Sequence, residues 1–160
     1  MASAIDLVNI LKTKKLTIAT AESCTGGMIA AAIVDCPGAS ECFGEGYITY
    51  ANEAKVKILS VNPATLEEHG AVSPQTADEM AKGLLLAADS DFAISVTGIA
   101  GPDGGSIEKP VGLVYIAIGA KSSHSIYVQK FDFTGDRLAI RTAARDAAID
   151  MAIEIIEKES

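Results

Sequence analysis

Ser23 stands in the run Ala21-Glu22-Ser23-Cys24-Thr25-Gly26-Gly27, where a β-branched apolar segment passes through hydroxyls and a glycine pair into a helix-like stretch, Met28 to Val34. A serine at such a junction can attack a carbonyl, because free backbone N–H groups and the positive end of the helix dipole can hold the oxyanion that forms. The commoner use of Ser23 or Thr25 at that place is to cap the helix, and these residues alone leave both uses open. A serine also needs a base, and histidine is the usual one. His69 precedes Gly70 at a helix end and His124 lies beside a hairpin turn, so neither follows a strand at the same edge. A lysine can substitute if burial lowers its pKa from about 10.4 toward about 7–8. Lys55 is the candidate: with Asn52 as N-cap it takes the third helical position, where the dipole disfavours a cation. The same position suits an ordinary solvated lysine, as at Lys57. Neighbouring Tyr50 either orients a substrate or packs at the strand end.

Arg137, Arg141 and Arg145 recur every four residues and so share one helix face. Beside the helix start at Thr134-Gly135-Asp136, the forks of Arg137 and Arg141 suit a phosphate, with Arg145 two turns away the least suited. A surface ladder of salt bridges is the commoner meaning of such a stripe. The loop Gly98-Ile99-Ala100-Gly101-Pro102-Asp103-Gly104-Gly105 lets backbone approach a ligand closely. It matches neither GxxxxGK[ST] nor GxGxxG, which excludes a P-loop or a Rossmann dinucleotide site.

The elements that must position these groups follow from periodicity and punctuation. An amphipathic helix covers Met1 to Lys15, a strand about Leu16 to Ala21, a helix about Thr25 to Asp35, and a strand Gly46 to Tyr50. Asn52 and Asn62-Pro63 begin short helices, and Ser73-Pro74 begins a longer one running to about Ala88. Phe92 to Thr97 is a buried strand, Val111 to Gly119 and Ser125 to Phe133 form an antiparallel hairpin, and a last helix runs from about Asp136 to Lys158. Alternating helices and strands with one hairpin predict an α/β fold in one domain, residues 1–160. It is a three-layer α/β/α sandwich around a mixed, mostly parallel sheet of five or six strands. Ligands collect at the carboxyl ends of parallel strands, so Glu22 to Gly27, Ala51 to Lys55 and Gly98 to Gly105 are expected to share one pocket.

Composition narrows the function classes. A net charge of −8 over 160 residues argues against a nucleic-acid surface, so a bound phosphate must meet a local basic pocket. Cys24, Cys36 and Cys42 form no CxxC pair, and the two histidines lack metal-ligand spacing, so neither a disulfide framework nor a metal site is expected. The N-terminal helix is not a signal peptide, and no apolar run is long enough to span a membrane. A soluble, cytoplasmic protein is the expectation, and its alanine-rich helices suit a homodimer.

Taken together, the AESCTGG run, Tyr50-Ala51-Asn52-Glu53-Ala54-Lys55, Gly70-Ala71-Val72-Ser73, Thr97 to Gly105 with Lys109-Pro110-Val111-Gly112, and Gly135-Asp136-Arg137 with Ile140-Arg141 closely resemble the CinA C-terminal domain family. The resemblance covers nearly the whole chain and is to the stand-alone form. It implies deamidation of nicotinamide mononucleotide to nicotinic acid mononucleotide and ammonia, without metal or cofactor. Ser23 would be the nucleophile and Lys55 its base, with backbone N–H groups of Cys24, Thr25, Gly26 and Gly27 at the oxyanion. Tyr50, Asn52, Thr97, Gly98, Gly101, Gly104, Gly105, Arg137 and Arg141 would hold the nucleotide. Thr97 stands where some relatives have serine and Ala51 where they often have serine or threonine, changes that bear on affinity and leave the Ser–Lys pair intact. A non-enzymatic nucleotide- or phosphate-sensing module, tied to competence or DNA damage, is the competing reading. Hydrolysis of another carboxamide or a small ester is a third.

Overall fold

Alternation along the strands builds the layers. In the computed structural model, which describes residues 3–160, strand β1 (Ile18–Glu22) turns Ile18 toward one apolar cluster and Ala19 and Ala21 toward another. The remaining strands are β2 (Phe43–Ile48), β3 (Phe92–Gly98), β4 (Leu113–Ala120) and β5 (Ser125–Asp132). They hydrogen-bond in the order β2-β1-β3-β4-β5. The β1–β2 and β1–β3 pairs are parallel and the β3–β4 and β4–β5 pairs antiparallel, so only β4 runs against the other four. Helices α1 (Ala4–Lys14), α2 (Met28–Val34) and α6 (Arg137–Glu159) cover one face around Leu7, Ile29, Ile116 and Ala148. Helices α3 (Asn52–Leu59), α4 (Pro63–His69) and α5 (Pro74–Ala88) cover the other, around Ala21, Leu59, Met80 and Leu84. This is the expected three-layer sandwich on a mixed sheet.

Caps set several boundaries as their chemistry dictates. Ser3 and Asp6 form a capping box on α1, Asn62 precedes Pro63, Ser73 precedes Pro74, and Asp136 accepts from Ala139 N–H at the start of α6. Strands β1 and β4 start two residues later than expected, at Ile18 and Leu113, and three other starts differ for a physical reason. Helix α2 begins at Met28 rather than Thr25 because Gly26 and Gly27 take left-handed φ of 58° and 102°. Strand β2 starts at Phe43, not Gly46; Phe43-Gly44-Glu45-Gly46 has little β-propensity but pairs with β1, setting Thr20 opposite Gly46. Ala51, not Asn52, is the cap of α3, with extended backbone and no side-chain bond, which moves Lys55 to the fourth helical position. Helix α3 lies so close on α5 that a Cβ at Gly83 would come within 1.7 Å of the Leu59 carbonyl oxygen. Only glycine permits that approach, and it seats α3 beside the sheet.

Candidate active site

At the carboxyl ends of β1 and β3 lies a pocket of about 190 Å³, lined by Ser23, Cys24, Tyr50, Lys55, Ala71, Val72, Thr97, Gly98, Ala100 and Arg137. The three segments expected to converge at the sheet edge do so. Ser23 follows β1, and its N–H stays in the sheet through the Val96 carbonyl at 3.0 Å. Lys55 enters from the first turn of α3 and is 1% exposed. Its Nζ lies 3.0 Å from Ser23 Oγ, 2.8 Å from the Thr49 carbonyl oxygen and 3.1 Å from that of Tyr50.

These three neighbours fit both protonation states of an amine. As an ammonium Lys55 donates to all three; as a neutral amine it donates to the two carbonyls and turns its lone pair to the Ser23 hydroxyl. No carboxylate pairs with it among the described residues. Burial pushes its pKa below the ordinary lysine value. The neighbouring Cys24 thiol goes the other way: burial raises its pKa to about 11, outweighing the pull of its own backbone N–H and of Arg141. Of the adjacent serine and thiol, the serine is therefore the one with a base in reach.

The reading of Ser23 or Thr25 as a helix cap is overturned. Gly27 occupies the N-cap position of α2 without a side-chain bond. The cap is Glu22, whose two carboxylate oxygens accept from Ile29 N–H at 2.9 Å and Ala30 N–H at 3.0 Å. Glu22 is buried, and strand alternation sends it to the α2 face while its neighbour Ser23 turns to the pocket. The Thr25 hydroxyl is buried and without a hydrogen-bond partner among the described residues.

The expected binding residues fall into separate groups. Arg137 lines the pocket, donating from Nη1 to the Gly101 carbonyl at 2.7 Å and from Nη2 to the Tyr50 hydroxyl at 3.1 Å. Arg141 lies outside the lining: its Nε donates to the Cys24 carbonyl at 2.9 Å and its Nη2 to that of Thr25 at 3.1 Å. Arg145 pairs with Asp146. Thr97 lines the pocket, but its hydroxyl donates to the Ala71 carbonyl at 2.8 Å, so its proton is engaged with the loop before α5. Gly98 lines the pocket, and Gly101 contributes through its carbonyl. Asn52, Gly104 and Gly105 are exposed and outside the lining. Of the four nominated oxyanion donors, Gly26 N–H is engaged with the Ser23 carbonyl at 3.1 Å. Among the described residues no oxygen accepts from the N–H of Cys24, Thr25 or Gly27, and the Cys24 N–H lies against its own thiol.

Sequence reasoning assigned no role to Glu22 or to Ala71 and Val72. Each was legible only as part of a motif, since a capping carboxylate seven residues before its N–H partner falls outside the usual cap spacing. No local pattern marks the Thr49 and Tyr50 carbonyls as partners of Lys55. Among the described residues no helix is long and apolar enough to cross a membrane.

Known proteins resemble this one over nearly its full length. The CinA C-terminal domain family matches residues 2–156. A competence-damage inducible protein, by name, from Caldanaerobacter subterraneus is 50% identical over 151 residues, which are 94% of this chain and 36% of the relative. The chain thus spans about a third of the length of the curated relatives it matches. The solved structure of the competence/damage inducible protein CihA from Agrobacterium tumefaciens superposes with a TM-score of 0.89 at 41% identity, covering 96% of each chain. A CinA superfamily protein from Klebsiella pneumoniae gives 0.92 at 34% identity, covering 97% of this chain and 96% of the other.

Proposed function

The chain belongs to the CinA C-terminal domain family, and on that footing we propose that it is a serine–lysine amidohydrolase that deamidates nicotinamide mononucleotide. The observation that carries the reading is a buried lysine amine with no acid partner, 3.0 Å from a serine hydroxyl at the carboxyl edge of parallel strands. A lysine held that way serves as a base at moderate pH, because the medium that disfavours its charge leaves its lone pair free.

Neutral Lys55 takes the Ser23 proton as Oγ bonds to the carboxamide carbon, while the Cys24 and Thr25 N–H groups receive the oxyanion. The tetrahedral adduct collapses with cleavage of the C–N bond, and the Lys55 ammonium passes its proton to the departing amine, which leaves as ammonia. Water then adds to the acyl-enzyme with Lys55 again as base, releasing the pyridine carboxylate and restoring Ser23. Arg137, beside Tyr50 and the Gly101 carbonyl, is the cation available to a nucleotide phosphate at the pocket rim.

Ammonia release from nicotinamide mononucleotide under chelating conditions tests this directly, with Ser23→Ala and Lys55→Gln as comparison. Wild-type turnover that survives chelation and falls by roughly 10⁴-fold or more in both folded variants is the expected result. Measurable nucleotide binding without wild-type turnover overturns the reading and favours a sensing module.

A further inference from the structure

We propose that Glu22 and Arg141 are positioning residues for the reaction, holding the turn 23–27 from two sides so that the N–H groups of Cys24 and Thr25, which no oxygen of the described residues accepts from, are aimed as oxyanion donors. The proposal rests on the serine–lysine reading and adds to it the device that sets the nucleophile's surroundings.

A trans peptide carries its C=O and N–H on opposite sides, so fixing a carbonyl fixes the direction of the next residue's N–H. The Ser23 carbonyl takes Gly26 N–H at 3.1 Å, which turns Cys24 N–H the other way. The Cys24 carbonyl takes Arg141 Nε, which does the same for Thr25 N–H. The Thr25 carbonyl takes Arg141 Nη2 and Met28 N–H, and this directs Gly26 N–H back toward Ser23. One guanidinium thus orients two consecutive peptides, a task suited to its rigid fork. Gly26 makes room for it: φ is 58°, and a Cβ there would stand 3.2 Å from Arg141 Nη2. On the other side, the buried Glu22 carboxylate ties the chain just before Ser23 to the first turn of α2. It also fills the positive end of that helix with the protein's own charge, so a substrate phosphate is directed away from it and toward Arg137. Arg137 and Arg141, one helical turn apart, therefore divide between the pocket and the back of the nucleophile turn.

Steady-state kinetics on nicotinamide mononucleotide and on its phosphate-free nucleoside separate positioning from phosphate binding, with unfolding temperatures confirming folded variants. Arg141→Gln is expected to lower kcat by about 100-fold on both substrates with KM within about 3-fold, since small misplacements near the reacting centre act on the transition state. Arg141→Lys should recover part of that loss, and Glu22→Gln, which sets an amide N–H against a backbone N–H, should lower kcat by about 10-fold or more on both. Arg137→Gln should instead raise KM for the nucleotide. A rise in nucleotide KM alone in Arg141→Gln, with nucleoside turnover intact, overturns the proposal by making Arg141 a phosphate ligand. Unchanged kinetics also overturn it. Should Glu22→Gln fail to fold, the Arg141 variants decide. If the wild type turns over neither substrate, the amidase reading fails, and positioning is read from the rate at which a fluorophosphonate labels Ser23. Labelling slowed by about 10-fold or more in Arg141→Gln upholds positioning, and equal or absent labelling in the wild type and variant overturns it.

Discussion

Two hollows flank opposite ends of β3, and their sizes run against their chemistry. The larger, about 440 Å³, is an apolar groove of Leu85, Leu86 and Ile126 rimmed by Lys82, Asp89, Lys121 and His124 at the strand's amino end. Its rim lysine, Lys121, is exposed and paired with Asp89 at 2.8 Å, and that hydrogen bond raises its pKa. The smaller, about 190 Å³, holds Ser23 and Lys55 at the carboxyl end. There the lysine is buried, faces carbonyls and a hydroxyl, and has its pKa lowered. The same side-chain type is held as a cation at one end and disfavoured as a cation at the other. Partner chemistry and burial, not cavity volume, set the two ends apart.

The strongest way to break this contrast is Lys55→Met, which should remove amidase turnover by roughly 10⁴-fold and also alter how stability depends on pH. Between the lowered folded pKa of Lys55 and about 10.4, the unfolded chain binds a proton that the folded chain has released. Wild-type stability should therefore rise relative to the variant as pH climbs from the lowered folded value toward about 10.4, as read by denaturant unfolding. Parallel curves would show that Lys55 is an ordinary charged lysine. The same titration predicts that wild-type kcat/KM climbs through an ascending limb centred below about 10.4.

Arg137→Gln sharpens the polar side of the comparison: KM for the nucleotide should rise by about 10- to 100-fold with kcat nearly kept, the signature of lost ground-state binding. A fall in kcat at constant KM would instead place Arg137 in the transition state. The smallest effect belongs to the other hollow. Leu86 is 85% exposed, so Leu86→Ser should change stability by no more than about 0.5 kcal/mol and leave kcat/KM within about 2-fold. A large loss of activity would tie the apolar groove to catalysis and dissolve the contrast.

The sequence made different parts of this arrangement legible to different degrees. Strand β3 and helices α5 and α6 announce themselves through local signals: a continuous apolar run, Ser73-Pro74, and the Asp136 cap. Strand β2 is obscured because Gly44 and Gly46 carry no propensity and its pairing with β1 comes from tertiary contact. Ser23 and Lys55 could be nominated from turn chemistry and by elimination of the histidines. That Lys55 is buried depends on the close seating of α3 against Gly83 of α5, which no local pattern reveals. Arg137 and Arg141 look alike as members of one stripe. Their roles differ because the partners of Arg141, Cys24 and Thr25, lie 117 and 116 residues earlier in the chain.

That long reach has a consequence for synthesis. Ser23, Lys55 and the strands that flank them leave the ribosome well before α6, whereas a domain folds as a unit. The guanidinium that orients the Cys24 and Thr25 peptides arrives after all five strands. The turn that follows Ser23 therefore gains the guanidinium partner of its Cys24 and Thr25 carbonyls only once α6 has docked.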